Sequence, residues 1–324
     1  MSYTASSDRY AGMIYRRCGN SGLKLPLIST GLYQHFTNSD PYDNCKEIVC
    51  HSFDLGITHF DLANNYGKPA GSSEEIFGRI LNRELKAYRD EIIVTTKAGY
   101  DMWPGPYGEW GSKKYLVASL DQSLKRMGLE YVDIFYSHRF DPVTQLEETM
   151  AALDHIVRQG KALYVGISNY DVNATKKALS ILKELGTPCL IHQSSYSMLN
   201  RHIEDGLQDI LTDNGVGLIV FQPMQRGILT DTFLGGIPAD KAEGLKEFGI
   251  TADKVEKARQ LNVIAKQRGQ TLSQMAIAWT LRNGKVTSAL CGAKEAAHID
   301  LNVGAISNLD FSEQELLDID SILR

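Results

Sequence analysis

Asp61, Tyr66, Lys97 and His138 stand at or just beyond the ends of three successive strand-like runs: THFDLANNYG (58–67), EIIVTTKAG (91–99) and YVDIFYSHR (131–139). A free phenol titrates near pKa ~10 and is a poor acid at neutral pH. A buried ammonium beside it would lower that pKa by stabilising the anion. Lys97 supplies such an ammonium, and Asp61 a carboxylate that would keep it charged and oriented in a low-dielectric pocket. His138 could donate a hydrogen bond to a carbonyl oxygen and aim it at the tyrosine. Protonating that oxygen while hydride reaches its carbon is a reduction.

Each residue alone has an ordinary explanation. An aspartate at a strand end is as often a turn or helix-cap group. Tyr66, before Gly67, could be a loop aromatic, Lys97 could snorkel from a strand end, and a histidine beside Arg139 could be structural. Together, four reactive side chains at three consecutive strand ends are harder to explain that way. If those strands are neighbours in a parallel barrel, all four converge at one mouth, where such folds keep their chemistry.

The rest of the chain supplies that barrel. Short apolar runs at 27–31, 58–61, 92–96, 132–137, 162–167, 190–193, 217–221 and 288–291 read as strands buried on both faces. Helical patterns lie between them, near 42–55, 73–82, 113–127, 146–159, 172–185 and 203–214. Two more, near 253–268 and 272–283, precede the last strand, and two follow it, near 296–305 and 312–322. Gly56, Gly128, Gly160, Gly186 and Gly215 fall where helices should end, and Ser312 with Glu315 forms a capping box. Ahead of the alternation, 13–17 and 23–25 flank CGNSG and read as a small hairpin. The fold expected is α/β: a (β/α)8 TIM barrel with an N-terminal β-hairpin and extra helices, forming one domain over 1–324. Two irregular stretches, 99–111 and 223–250, follow strands and would stand over the mouth.

Composition is that of a soluble globular protein. Of 324 residues, 43% are hydrophobic and 23% charged, and the net charge of −5 argues against nucleic acid as a partner. There is no long uncharged apolar run for a membrane span and no signal-peptide core at the amino terminus. The five cysteines form no C-x-x-C and no metal-ligand spacing. They read as buried free thiols in a reducing compartment, so a cytoplasmic location and no metal are expected.

The motifs FDLANNYG, TTKAG, YVDIFYSHR and GISNY resemble the aldo-keto reductases, over essentially the whole chain. The stretch GSKKYLVASLDQSLKRMGLEYVDIFYSHR is most similar to the branch containing bacterial L-glyceraldehyde 3-phosphate reductases and potassium-channel β subunits. By that resemblance Tyr66 is the proton donor, Lys97 and Asp61 its tuners, and His138 the substrate orienter.

No G-x-G-x-x-G follows an early strand, so a Rossmann site is not expected. A barrel would hold a nicotinamide cofactor with residues at its strand ends. Gly31, Leu32, Tyr33 and Asp61 are candidates at the first ends, with Ser168, Asn169 and Gln193 suited to a carboxamide and Tyr196 able to stack on the nicotinamide. The run Phe221, Gln222, Pro223, Met224, Gln225 and Gly227 would meet the pyrophosphate with backbone donors. By resemblance Gly292, Ala293, Lys294, His298 and Asn302 follow the last strand at the adenosine end, where a helix amino terminus could hold a phosphate. Near relatives often carry Gln or Arg where His298 stands, Glu where Leu301 stands and a basic residue near Thr232. Lys294 and Arg226 could compensate, and the cofactor expected is NADPH (NADP+).

For substrate, Trp103 and Tyr107 could wall an aldehyde pocket, with Tyr33 and His138 at its mouth. Arg139 could fork onto a phosphate or carboxylate, or be a solvated or paired cation. The resemblance thus implies an NADPH-dependent reductase of small polar or phosphorylated aldehydes, of the glyceraldehyde 3-phosphate or methylglyoxal type. A cofactor-binding regulatory subunit is the alternative, against which His138 weighs, since regulatory members can lack it. A third reading, an aldolase with Lys97 as Schiff base, is opposed by the Asp61/Tyr66 pattern. The C-terminal helix could cover the barrel side or join a second copy in a homo-oligomer.

Overall fold

A computed structural model describes residues 3–238 and 242–324. The hairpin strands β1 (Tyr15–Arg17) and β2 (Lys24–Pro26) pair antiparallel. Eight parallel strands then close a barrel: β3 (Ile28–Gly31), β4 (His59–Asp61), β5 (Ile93–Ala98), β6 (Val132–Ser137), β7 (Ala162–Ser168), β8 (Ile191–Ser195), β9 (Gly217–Phe221) and β10 (Ser288–Cys291). β10 bonds to both β9 and β3, which closes the ring.

Helices α1 (Tyr42–Asp54), α2 (Ser72–Ile80), α3 (Lys113–Met127), α4 (Leu146–Arg158), α5 (Val172–Glu184) and α6 (Leu207–Asp213) alternate with the strands. α7 (Ala242–Glu247), α8 (Ala252–Gln267) and α9 (Leu272–Leu281) precede β10, and α10 (Ala296–Gly304) and α11 (Glu313–Leu323) follow it. Local chemistry sets these ends. Ser112 accepts from the Tyr115 N–H at 3.2 Å to start α3, and Gly128, at φ 66°, ends it. Capping boxes start α9 (Thr271 with Gln274) and α11 (Ser312 with Glu315).

Three details depart from the sequence expectation. The helix expected over 73–82 passes into a π turn at Leu81–Leu85, where Asn82 Nδ2 donates to the carbonyls of Gly78 and Met127. The helix expected over 203–214 is broken: Gly206, at φ 92°, separates a 3₁₀ turn (His202–Glu204) from α6. The irregular stretch 223–250 contains α7; its residues 239–241 lie outside the described residues.

Strand side chains alternate between the helix layer and the barrel interior. Inside, Ile134, Tyr136, Ile191, Ile219 and Leu290 pack with Cys18 and Leu25 of the hairpin region, so the hairpin plugs the amino-terminal end. Tyr136 lies so close to β7 that a Cβ on Gly166 would sit 2.5 Å from its ring. Only glycine fits there. With that end filled, the carboxyl ends of the strands are left for a site.

Candidate active site

Register brings the sequence candidates together. Asp61 pairs with Thr95 across β4 and β5, and Lys97 pairs with Tyr136 across β5 and β6. Positions 61 and 97 thus occupy neighbouring inward sites, both fully buried. Lys97 Nζ donates to Asp61 Oδ2 and, at 2.6 Å, to the Leu62 carbonyl. Asp61 Oδ1 accepts from Thr95 Oγ1 at 2.8 Å and from Gln193 Nε2 at 3.1 Å. Both carboxylate oxygens and two of the three ammonium hydrogens have a fixed partner, as a buried ion pair requires.

Above the pair stand two rings with unspent polar atoms. Tyr66, in the turn after β4, is half-buried and lies edge-on to His138, centroids 5.9 Å apart. Lys97 Nζ is 5.1 Å from the centroid of the Tyr66 ring. Among the described residues neither the Tyr66 hydroxyl nor a ring nitrogen of His138 has a hydrogen-bond partner, and His138 Nδ1 is buried. That leaves Nε2 to face the mouth.

Burial decides the protonation states. It pulls the Lys97 ammonium below its ordinary value, opposed by the charge and hydrogen bond of Asp61. It pulls His138 well below 6.5, aided by the charges of Lys97 and Arg139, so the imidazole is neutral. Tyr66 departs from expectation: its phenol is pushed well above 10, first by burial and then by the charge of Asp61. Removal of water from the ring is the largest cause, so in the resting site burial outweighs the neighbouring ammonium. The phenol is therefore held protonated, the state a proton donor must start from.

The carboxamide candidates partly serve their neighbours. Ser168 ends β7, and Asn169, at φ 59°, donates through Nδ2 to the His138 carbonyl at 3.1 Å and to Ser168 Oγ. Gln193 spends an N–H on Asp61. Tyr196 does not reach the mouth: it is buried against Trp279, centroids 5.2 Å apart, with its hydroxyl donating to Glu204 at 2.5 Å and accepting from Arg282. The ring at an inward strand end is instead Phe221, last in β9 and half-buried over the interior cluster.

The segment after β9 has an unusual backbone. Gln222, Gln225, Arg226 and Gly227 all have positive φ, a run of sparsely populated conformations of the kind that collects at ligand sites. A Cβ on Gly227 would meet nothing closer than 4.0 Å, and on Gly292 nothing closer than 3.8 Å. Pro223 and Met224 lie within this turn. At the other side Gly31 ends β3, the Leu32 N–H donates to the Asp61 carbonyl at 3.0 Å, and exposed Tyr33 stands 4.9 Å from Tyr66. Past β10, the Lys294 N–H donates to His298 Nδ1 at 3.3 Å, and His298 Nε2 lies 3.7 Å from Glu295. Buried Asn302 donates to the Gly292 carbonyl. The polar atoms of Tyr66 and His138 left without a protein partner, the Phe221 ring and the glycines at 227 and 292 are compatible with a nicotinamide cofactor.

The substrate candidates separate. Arg139 is a paired cation: Nε donates to the Gly99 carbonyl at 2.8 Å, Nη2 pairs with Glu109 at 2.8 Å, and the guanidinium lies 4.3 Å from the Tyr100 ring and 3.5 Å from the Trp110 ring. Trp103 is half-buried and packs on Tyr115 at the edge of the core, centroids 5.1 Å apart, while Tyr107 is exposed. The wall at His138 is Tyr100, edge-on at 4.7 Å. Sequence reading missed Tyr100, although an aromatic directly after the strand-ending Gly99 was a usable signal.

Comparison with known proteins agrees with the geometry. Residues 28–324 match the model of the aldo/keto reductase family. The chain is 54% identical to L-glyceraldehyde 3-phosphate reductase of Escherichia coli (strain K12), over 99% of this chain and 95% of that protein. It is 32% identical to a probable voltage-gated potassium channel subunit beta of Arabidopsis thaliana, and 31% to one of Oryza sativa subsp. japonica. Each of these two alignments covers 94% of this chain and 95% of the relative. No helix among the described residues is long and apolar enough to cross a membrane.

Proposed function

The chain belongs to the aldo/keto reductase family and is an oxidoreductase, and on that premise we propose that it reduces small polar or phosphorylated aldehydes, of the glyceraldehyde 3-phosphate or methylglyoxal type, with NADPH. The family generally uses NADP(H). The observation that carries the reading is the pair of unspent groups, Tyr66 and His138, side by side above the Asp61–Lys97 pair.

When bound, the nicotinamide supplies hydride to the carbonyl carbon. The protein's part is electrostatic and protonic. His138 Nε2–H and the Tyr66 hydroxyl both donate to the carbonyl oxygen, which orients it and polarises the bond. Tyr66 then gives up its proton as charge develops on that oxygen. The phenolate left behind is stabilised by Lys97, and Asp61 keeps that ammonium charged inside the barrel. Ser168, Asn169 and Gln193 line the carboxamide side, and Phe221 offers a face to the ring. Tyr33 and Tyr100 flank the aldehyde. The whole chain, 1–324, works as one domain.

A regulatory role like that of a channel subunit is disfavoured by His138, poised beside the tyrosine. Lys97 as a Schiff-base nucleophile is disfavoured too, since it is buried and held by Asp61 and Leu62. The test is cofactor absorbance, with NADPH and NADH, against charged and neutral aldehydes. Multiple turnovers with NADPH and a phosphorylated or small polar aldehyde support the reading. A single slow oxidation of bound cofactor with every aldehyde overturns it.

A further inference from the structure

A line of hydrogen bonds runs through the barrel interior to Asp61, and nothing in the reaction above uses it. Ser288 (β10), Ser29 (β3), His59 (β4) and Thr95 (β5) are fully buried on four consecutive strands of the ring. Ser288 Oγ lies 2.6 Å from Ser29 Oγ, which lies 2.8 Å from His59 Nδ1. His59 Nε2 lies 3.1 Å from Thr95 Oγ1, which donates to Asp61 Oδ1 at 2.8 Å. Inward barrel positions ordinarily hold bulky aliphatic residues. A histidine here forgoes that packing and must be desolvated, so the line has a cost that ordinary core residues avoid.

The donors can be assigned from the carboxylate backwards. An ionised carboxylate only accepts, so Thr95 gives its one hydroxyl hydrogen to Asp61. The hydrogen between Thr95 and His59 then belongs to Nε2. A neutral imidazole has one N–H, so Nδ1 accepts from Ser29, which in turn accepts from Ser288. Burial pushes His59 down to about 4, so it is neutral at physiological pH. The charged and titratable groups facing His59 and Asp61 are Lys97 on β5, Tyr66 after β4 and Tyr136 on β6. All four hydrogens point toward Asp61.

Thr95 has a competing acceptor. The Phe60 carbonyl lies 3.5 Å from its hydroxyl. With His59 Nε2–H engaging the oxygen from the far side, the hydroxyl is held on the carboxylate; without it, the hydroxyl is free to turn to Phe60.

We propose that His59 is a positioning residue for the reduction: as its Nε2–H tautomer it locks the Thr95 hydroxyl onto Asp61 and so holds that carboxylate as the anion paired with Lys97. The proposal rests on the reading of Tyr66 as proton donor and adds a residue that touches neither substrate nor cofactor. Removing a hydrogen bond to a charged group disfavours its charged form.

The test uses His59→Leu, His59→Gln and Thr95→Val in the full chain. His59→Leu should lower kcat about tenfold, the size of one hydrogen bond to a charged group. The acid limb of its kcat profile should move up by about one pH unit, with KM for the cofactor little altered. His59→Gln, whose amide N–H can reach Thr95, should recover most of both. Thr95→Val keeps the packing and removes the hydroxyl, and should reproduce the loss and the shift. Wild-type kcat and acid limb in Thr95→Val overturn the proposal, even if His59→Leu does not fold. So does an Nδ1–H tautomer of His59 at pH 7 by nitrogen-15 NMR. Full activity in Tyr66→Phe would instead sink the donor reading itself, a separate outcome.

Discussion

The two ends of the proposed cofactor groove are built in different ways. At the chemical end, Asp61, Lys97 and Thr95 are buried in adjacent strands, buried Gln193 reaches Asp61 from β8, and the four are held through paired donors and acceptors. At the adenosine end, Lys294 is exposed and His298 half-buried, and both sit past the last strand and bond chiefly to their own segment. Strand register places a side chain through a whole ladder of bonds, whereas a surface loop places it through one or two. Buried interactions are also screened far less by water and salt. Changes at the first end should therefore abolish chemistry, and changes at the second should adjust which coenzyme is preferred.

Breaking the chemical end gives the largest effects. Tyr66→Phe should cut turnover by about three orders of magnitude, within the range of general-acid catalysis, and cofactor fluorescence titration should give nearly the wild-type Kd. Lys97→Met strands Asp61 as a buried carboxylate without its partner. The urea midpoint should register a loss of about 3–5 kcal/mol, together with lost activity.

The histidines separate the ends by pH. His59 and His192, pushed down to about 4, and His138, held well below 6.5, are neutral in the fold, each chiefly by burial. Unfolded, each binds a proton near pH ~6.5, so the unfolded state carries more protons below that value. Stability should be full above pH ~6.5 and fall as pH drops toward 4, which urea melts at pH 7.5 and 5 would detect. A flat profile would break the picture of a buried, neutral site.

The adenosine end should respond least. Lys294→Ala should raise KM for NADPH about two- to fivefold, the size of an exposed ionic contact, and Glu295→Gln should lower it by a similar factor. Both effects should fade at high salt. A change in kcat larger than the change in KM would erase the distinction between the two ends.

Much of the chemical end was legible because it obeys local rules. Short apolar runs separated by amphipathic segments specify a parallel barrel, and a polar residue at a strand's carboxyl end then has one place to go. The glycine stops and the Ser312–Glu315 box were legible for the same reason: each acts within one turn of chain. Tyr196 was misplaced because its neighbour Gln193 does point inward, and only packing against Trp279 reveals that the chain has left the mouth by residue 196. Arg139 stayed open between an anion ligand and a solvated or paired cation because Glu109, its partner, lies thirty positions away in a loop with no periodic pattern. The lowered phenol pKa failed for another reason: spacing brings Lys97 near Tyr66 but says nothing of how much water is removed.

By itself, then, the sequence determined the strand-and-helix alternation and the four reactive side chains at the strand ends, since hydrophobic periodicity and turn chemistry are local. Tertiary structure alone decided which of their polar atoms are spent and which are free. It did so because hydrogen bonding, burial and protonation depend on neighbours that the chain brings from four different strands.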